Sequence, residues 1–423
     1  MKTKRILGTI IILMILCTTY INLCPEDYGA VIIQAKGLDN AKSQMREIKK
    51  SPLVEGNTRL YSNNKKYAKY KSVSQAASDV RSAMVNHSKK IITYIKSANS
   101  VPREVFEALE KEVFKETGNS DEGDYLRWDI DREYPSYIYF SSKSGNKTYY
   151  YYEFHIEMWY LTTLTQKEQV DKRVNEIIKS FNFDENTTDY EKVKAVYDYV
   201  CTNVTYAENI DRDIVFTSWS ALFNKEAVCQ GYAQLIYKML KELGVPVRVI
   251  CGYGGSDVLH GWNIVKLGGY YYNIDATWDA EVWQNIDTYR YFLKGDYFAR
   301  HTRTADYSTA EFYCKYPMGQ NNYGSDIQYD SFNTKKAKYN ILKPRFKALS
   351  KKRIVFKKVS GSLGYVVQYS ADKSLKRGGK TLIIKKNYYK FKKSRKYYVR
   401  FRAYTYIDGK KVYTKWSSKK RTK

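Results

Sequence analysis

The chain has 423 residues, 43% of them hydrophobic, so it is long enough for two or three domains with buried cores. Its formal net charge of +28 is concentrated near the C-terminus, whereas residues 1–342 carry 44 basic and 42 acidic groups and are nearly neutral. Six scattered cysteines without a CxxC pair argue against a disulfide framework and against a zinc site.

Residues 1–30 form a predicted targeting segment. Basic residues up to Arg5 precede an apolar run that begins at Ile6, and no further charge occurs before Glu26. This pattern is typical of a secretory signal peptide, and the run is also long enough for an uncleaved membrane anchor. We therefore expect the protein to be secreted or held at the cell surface, with membrane contact only through this segment.

Residues 31–180 are predicted to be an α+β region, to which the sequence assigns no role. The apolar spacing in 74–97 predicts one helix, and 101–116 predicts a second. Residues 136–142 and 147–161 are aromatic and β-prone, and the turn residues between them predict a hairpin. A prodomain, a lid over a site and a second binding module all remain open for this region.

Two helices are predicted in the region that follows. The first spans 187–206 and begins with a capping box formed by Thr188 and Glu191. The second begins in the sequence AVCQGYAQL, and it carries one apolar stripe and ends near Gly244. Cys229 would then lie at the N-terminus of a helix, where free amides and the helix dipole favour a thiolate.

A hairpin is predicted over 260–267 and 270–277, with Gly268 and Gly269 as its two-residue turn. In that register His260 and Asp275 are diagonal neighbours on one face, so their side chains can meet. The expected arrangement is a thiol, a base that takes its proton and a carboxylate that orients the base. His301 is expected to be structural, and Asn263 is expected to hold backbone groups.

These motifs resemble the bacterial transglutaminase-like superfamily, which has a papain-like cysteine fold. The likeness rests on CQGYA, HGWN and DATWD, in that order, within a predicted core of 181–315. It implies Cys229 as nucleophile, His260 as general base and acid, and Asp275 as orienting carboxylate. Alanine is more usual than Gly261 after the histidine.

The resemblance also suggests which residues line the substrate cleft. An upstream residue commonly supplies a second oxyanion donor, and Trp219 lies in the corresponding stretch; packing is the alternative role for this tryptophan. Gln230 and Trp262 are assigned to the cleft as well.

The C-terminal part is predicted as a linker at 316–342 and a basic module at 343–423. The module holds 28 Lys and Arg against two acids, and its alternating stretches resemble a fibronectin type III-like sandwich. Trp416 and Tyr398 are expected in its core. Such a polycation attracts anionic cell-wall polymers, and export makes nucleic acid a less favoured partner.

The predicted fold is therefore α+β: a papain-like transglutaminase core, with a helix packed on an antiparallel sheet, followed by an all-β immunoglobulin or fibronectin III-like sandwich. The predicted function is acyl transfer through a cysteine thioester on a protein or peptide substrate, with hydrolysis favoured. Protein crosslinking, or binding by a non-catalytic scaffold, are the alternatives. The sequence contains no metal-ligand cluster, phosphate loop or dinucleotide fingerprint, so no cofactor is predicted.

Overall fold

The computed structural model describes residues 45–46, 49–55, 69–255, 258–283, 289–325 and 330–423. The predicted leader lies outside the described residues. Among the described residues, no helix combines the length and apolar character required to cross a bilayer.

The N-terminal region is a sheet covered by two helices. Its strands are β1 (Lys49–Lys50), β2 (Val54–Glu55), β3 (Lys90–Ser97), β4 (Ile130–Ser144) and β5 (Lys147–Tyr160). The sheet order is β1-β4-β5-β3, and β1 and β2 both run parallel to β4. Helices α1 (Val73–Val85) and α2 (Pro102–Val113) share a buried apolar cluster with β3 and β5.

The predicted hairpin is confirmed, because β4 and β5 are antiparallel and close with Ser144 opposite Lys147. The helix predicted over 74–97 is correct only in its first half, since residues 90–97 form β3. Ile91 and Ile95 are buried with Thr93 between them on the same strand face. A spacing of four residues fits one helix face and also the repeat of two in a strand, so the apolar pattern alone was ambiguous.

The central region packs helices around an antiparallel sheet. The helices are α3 (Asp124–Trp128), α4 (Leu164–Ser180), α5 (Asp189–Asn203), α6 (Ser218–Phe223), α7 (Cys229–Glu242) and α8 (Ala276–Trp283), with a 3-10 turn at Asp213–Phe216. The sheet order is β10-β9-β8-β11, formed by β8 (Val247–Gly254), β9 (Val258–Leu267), β10 (Tyr270–Ile274) and β11 (His301–Arg303). A small parallel pair joins β6 (Thr205–Tyr206) and β7 (Glu226–Ala227).

Helix α7 is the core element that carries the candidate nucleophile. Every residue from Cys229 to Leu240 is buried, so this helix is surrounded by the rest of the domain. Gly244 follows it with φ of +74°, a left-handed conformation that ends helices at low steric cost. Asn263 of β9 donates to the carbonyls of Ala233 and Arg248, which confirms its predicted backbone-holding role.

The other two predictions that position the site are also largely correct. Thr188 caps α5, and both hydrogen bonds of the capping box with Glu191 are present. Strands β9 and β10 pair with Tyr270 opposite Leu267, as the Gly268-Gly269 turn predicted. The second strand is shorter than expected, because it ends at Ile274 and α8 begins at Ala276. Asp275 therefore lies at the junction between a strand and a helix.

The stretch predicted as a linker packs against the central region. Met318 is fully buried, and the Tyr271 amide donates to the carbonyl of Pro317. After α9 (Ala310–Lys315) and the 3-10 turn Ala305–Tyr307, residues Phe332–Asn340 form a further helix, α10. The sequence predicted a loop here. Apolar side chains are sparse in 316–342 and α10 is mostly polar, so no apolar repeat indicated the helix.

Residues 346–421 form two sheets. One has the order β12-β13-β16, from β12 (Phe346–Leu349), β13 (Arg353–Phe356) and β16 (Tyr388–Lys390). The other has the order β15-β14-β17-β18, from β14 (Gly364–Ser370), β15 (Lys380–Ile384), β17 (Tyr398–Ile407) and β18 (Lys410–Tyr413), with β19 (Lys420–Arg421) also on β17.

Apolar side chains from both of these sheets form one core, which includes Ile354, Phe356, Val367 and Phe401. Trp416 and Tyr398 are only half-buried and do not belong to it, so their predicted core role is wrong.

Candidate active site

The candidate nucleophile begins α7 in a tightly packed turn. Cys229 follows Val228, which adopts an extended conformation and provides no side-chain cap. The amides in the first turn of a helix have no hydrogen-bond partner within the helix, and they lie at the positive end of the helix dipole. Both features favour a negatively charged sulfur at this position. Gly231 is required for close packing, since a Cβ there would lie 2.9 Å from the Thr217 carbonyl oxygen. The Gly261 amide donates to Cys229 Sγ at 3.3 Å.

The structure brings His260 and Asp275 together beside this sulfur. His260 Nε2 lies 2.8 Å from Asp275 Oδ2, as expected for an oriented base. Burial acts to lower the pKa of His260, but the charges and hydrogen bonds of Asp275 and Cys229 outweigh it and raise the pKa to about 10. The raised pKa favours the imidazolium form of the ring, which is hydrogen-bonded to the Asp275 carboxylate and lies near the Cys229 sulfur.

Asp275 is ionised although its side chain is buried. Burial favours its neutral form, but His260 and His301 act in the opposite direction and the net pKa lies below the ordinary value. Its Oδ1 also accepts from the amide of Thr277 at 3.0 Å, in the first turn of α8. A carboxylate at the start of a helix is stabilised there by the amides and the dipole, so the strand–helix junction fixes its position.

Aromatic rings enclose the imidazole. Trp278 stacks on His260 with ring centres 5.2 Å apart, and Trp262 lies 6.1 Å away. The Trp262 indole donates to Asn273 Oδ1 at 3.0 Å, which fixes the ring. The predicted cleft role of Trp262 therefore corresponds to a wall beside His260. Such apolar walls lower the local dielectric and strengthen the charge interactions within the site.

His301 was expected to be structural, but it contacts the site directly. Its Nε2 lies 3.1 Å from Asp275 Oδ2, the same oxygen that faces His260, and its Nδ1 lies 2.9 Å from the Ala299 carbonyl oxygen. The ring also stacks on Phe298 at 3.8 Å. Nothing in the sequence between residues 275 and 301 predicts this contact, since it depends on β11 pairing with β8.

Asp279 is a second buried carboxylate, and it does not contact His260. It accepts from the Tyr197 hydroxyl at 2.6 Å and from the Tyr291 amide at 3.0 Å. Burial raises the pKa of Asp279 to about 7, only partly offset by those hydrogen bonds. Asp279 therefore has a tertiary role, because it connects α8 to α5 and to the segment after α8.

The other two predicted cleft residues make structural hydrogen bonds. The Trp219 indole donates to Gln169 Oε1 at 2.7 Å, so it is directed to α4 and the predicted oxyanion role is not supported. Gln230 donates from Nε2 to the Trp128 carbonyl at 2.9 Å, and its Oε1 accepts from the Arg46 amide at 2.8 Å. Gln230 is thus positioned beside the nucleophile, where it contacts an earlier part of the chain.

The candidate site is closed to solvent. Cys229 is 0% exposed and His260 is 1% exposed. Met45, which is 1% exposed, belongs to the same apolar cluster as Cys229 and lies against Gly261. The sequence did not predict this contact, since residues 31–180 carried no assigned role.

Three side chains of the site have the donor types of a metal centre. The ligand atoms of His260, Asp275 and His301 lie within 4.8 Å of one another. The hydrogen bonds of both histidines to Asp275 Oδ2 account for this grouping without an ion. The arrangement is that of a nucleophile, a base and an orienting carboxylate with a further histidine behind it.

Comparisons with known proteins find similarity in one part of the chain. Residues 179–288 match the family model of the Transglutaminase-like superfamily. The kyphoscoliosis peptidase of Homo sapiens is 27% identical over 158 residues, covering 34% of this chain and 23% of that protein, and its Mus musculus counterpart is 26% identical over 148 residues. The chain therefore spans less than a quarter of the length of these curated relatives.

Solved structures give a more distant likeness. A structure described as a TGase is 16% identical with a TM-score of 0.25, covering 40% of this chain and 58% of that one. A structure from Cytophaga hutchinsonii, provisionally described as a cysteine protease, is 18% identical with a TM-score of 0.22, covering 35% and 65%. The family-model match over residues 179–288 identifies a transglutaminase-like core in the central region of this mixed helix and strand chain.

Proposed function

We propose that this chain is an exported transglutaminase-like cysteine enzyme that hydrolyses peptide or amide bonds at the cell surface through a thioester on Cys229. One observation carries the proposal. The buried His260 ring is hydrogen-bonded to Asp275, and both Asp275 and Cys229 raise its pKa. A histidine held only for packing would not require an ionised partner in an apolar interior, where unpaired charge is costly.

The geometry supports the following sequence of steps. The Cys229 sulfur anion attacks the carbonyl carbon of the substrate, and the resulting oxyanion is stabilised by amides at the start of α7. The carbon–nitrogen bond then breaks, and the His260 imidazolium gives its proton to the departing amine. A water molecule, deprotonated by His260, then attacks the thioester carbonyl. The carbon–sulfur bond breaks, the Cys229 sulfur anion leaves beside the restored imidazolium, and the carboxylic acid product gives its proton to solvent. Asp275 keeps the ring oriented throughout.

Hydrolysis and crosslinking differ only in the acceptor that attacks the thioester. Water is always present, whereas an amine acceptor requires a binding position of its own. The test is incubation of the protein with glutamine-containing peptides, with and without a labelled primary amine. We expect peptide or ammonia release to exceed amine incorporation, and we expect Cys229→Ala to abolish both. Incorporation that exceeds release would instead support a transferase.

Because the sulfur is enclosed, this assay includes Met45→Ala beside the parent protein. The variant removes the side chain that lies over Gly261 and leaves His260 and Asp275 in place. Absence of any Cys229-dependent product in both proteins would support the scaffold alternative instead.

The C-terminal module is proposed to hold the enzyme on anionic cell-wall polymers, and a fibronectin type III-like fold is the proposed family for its two sheets. A cationic and aromatic surface supports this binding role. Arg400 and Arg402 lie over the Trp416 ring at 4.5 and 4.6 Å, and Arg402 also lies 3.9 Å from the Tyr413 ring centre. Stacked guanidinium groups combine charge with a flat apolar contact, which suits phosphate- or carboxylate-bearing polymers.

The polymer contact is tested by binding of the full chain to polyglutamate and to a glycerol phosphate polymer at several salt concentrations. We expect affinity to fall steeply as salt rises. Arg400→Gln with Arg402→Gln is expected to weaken binding more than Lys351→Gln with Lys352→Gln, which removes the same charge from the turn between β12 and β13. Equal losses would show that only net charge matters and would contradict a defined surface.

A further inference from the structure

The short segment of residues 45–46 crosses the candidate active site. The Met45 side chain lies along Gly261, since a Cβ at that glycine would collide with Met45 Sδ and would lie 3.2 Å from its Cγ. Gly261 is the residue whose amide donates to Cys229 Sγ. The thioether therefore lies against the residue whose amide contacts the nucleophile, and glycine at 261 provides the space for it.

The backbone of the next residue is bound as a peptide ligand would be. The Arg46 amide donates to Gln230 Oε1 at 2.8 Å, and Gln230 is adjacent to Cys229 in the sequence. The Arg46 guanidinium forms ion pairs with Asp131 and Asp213, the first at 3.1 Å. The site thus offers an apolar position, an amide acceptor and an acidic position in series.

The segment is held in place from one side by short strands. Two residues of β1 and two of β2 pair with β4, and Lys49 lies 3.8 Å from Asp131. Both strands are exposed and make few ladder bonds, so they are weak attachments compared with the core of the sheet.

We infer that residues 45–46 occupy the acyl-donor groove of the enzyme and keep this chain latent, and that the groove accepts peptides in which an unbranched apolar residue precedes a basic one. The inference rests on the proposed function, because the groove is defined relative to Cys229. The apolar residue of such a peptide lies over Gly261, its following amide binds Gln230, and its basic side chain lies between Asp131 and Asp213.

Latency is tested by the alkylation rate of Cys229 with iodoacetamide in the full chain, measured for that cysteine by peptide mass spectrometry. Met45→Ala removes the covering side chain, and Gly261→Ala displaces it from the other side. Each is expected to raise the rate about tenfold, which is the effect of uncovering a site that is closed most of the time. The double variant is expected to gain no more than either single variant, because both remove the same obstruction.

Met84→Ala is the matched control, since Met84 is a buried methionine in the apolar cluster of the N-terminal sheet. It removes the same side chain from a core that does not include Cys229, and its alkylation rate is expected to match the parent. A rise equal to that of Met45→Ala would show general loosening and would overturn the inference. Unchanged rates in both Met45→Ala and Gly261→Ala would overturn it as well.

The groove specificity is tested by protection. In the Met45→Ala chain, a synthetic peptide with the sequence of residues 43–50 is expected to slow alkylation of Cys229. The same peptide with alanine in place of methionine, or glutamate in place of arginine, is expected to protect at least about tenfold less well, as expected when a buried anchor or a paired charge is lost. Equal protection by all three peptides would contradict the assigned positions.

The outcomes separate this inference from the proposed function. If the variants raise alkylation but no peptide is turned over, the groove is covered as described and the enzyme proposal fails. If the parent chain turns over peptides as fast as Met45→Ala, the enzyme proposal holds and the latency fails.

Discussion

The ion pair between Asp275 and His260 provides the most direct test of the chemistry. In Asp275→Asn the shape of the side chain is kept and its negative charge is lost. The pKa of His260 would then no longer be raised to about 10, because burial would act with less opposition. The difference from the ordinary value of 6.5, to which Asp275 and Cys229 both contribute, corresponds to about 5 kcal/mol in favour of the imidazolium, at about 1.4 kcal/mol for each tenfold change.

The change is expected to reduce kcat/KM by about three orders of magnitude, because the ring would be neutral and the wrong tautomer would face Cys229. The assay is peptide hydrolysis between pH 5 and 9 in the Met45→Ala background, together with the pH profile of Cys229 alkylation.

Asp279→Asn is the matched control, since it removes a buried carboxylate from the same helix without contacting His260. We expect it to lower stability and to change kcat/KM less than about tenfold, because interactions in the transition state are kept. A loss below tenfold for Asp275→Asn, or equal losses for both variants, would refute the assigned role of Asp275.

Three further predictions concern the surrounding residues. His301→Phe keeps the stack on Phe298 but removes the contact with Asp275, so kcat is expected to fall about tenfold with KM unchanged, while His301→Gln retains a donor and most of the rate. His260 has a raised pKa, so its contribution to the free energy of unfolding is complete below pH 6.5 and is lost as pH rises toward 10. In urea denaturation, the free energy of unfolding of the parent is expected to fall more over that range than that of His260→Gln. Thr188→Ala is expected to lower the free energy of unfolding by about 1 kcal/mol without changing the alkylation rate, because it removes only the cap of α5.

The local elements of the site were predictable because local rules determine them. The capping box of α5 and the register of the hairpin at Gly268-Gly269 follow from neighbouring residues, and the structure shows both. The start of α7 was placed by its apolar stripe and its terminal glycine. These features together set the relative positions of Cys229, His260 and Asp275.

Contacts between distant parts of the chain were not predictable in this way. His301 reaches Asp275 only because β11 pairs with β8, and Met45 reaches Gly261 through strands two residues long. Neither pairing has an apolar repeat long enough to be recognised. The sequence predicted a helix over 90–97 because the spacing of Ile91 and Ile95 fits one face of a helix as well as one face of a strand. The burial of Thr93 between them distinguishes the strand, and the sequence does not reveal it.

The proposed chemistry requires Cys229 to form a thioester with its substrate. The most direct measurement is the intact mass of the Met45→Ala chain after rapid mixing with an activated peptide ester and quenching in acid. We expect an added mass equal to the acyl group, located on Cys229, and no such adduct in Cys229→Ala. Turnover without an adduct, or an equal adduct in Cys229→Ala, would contradict the account.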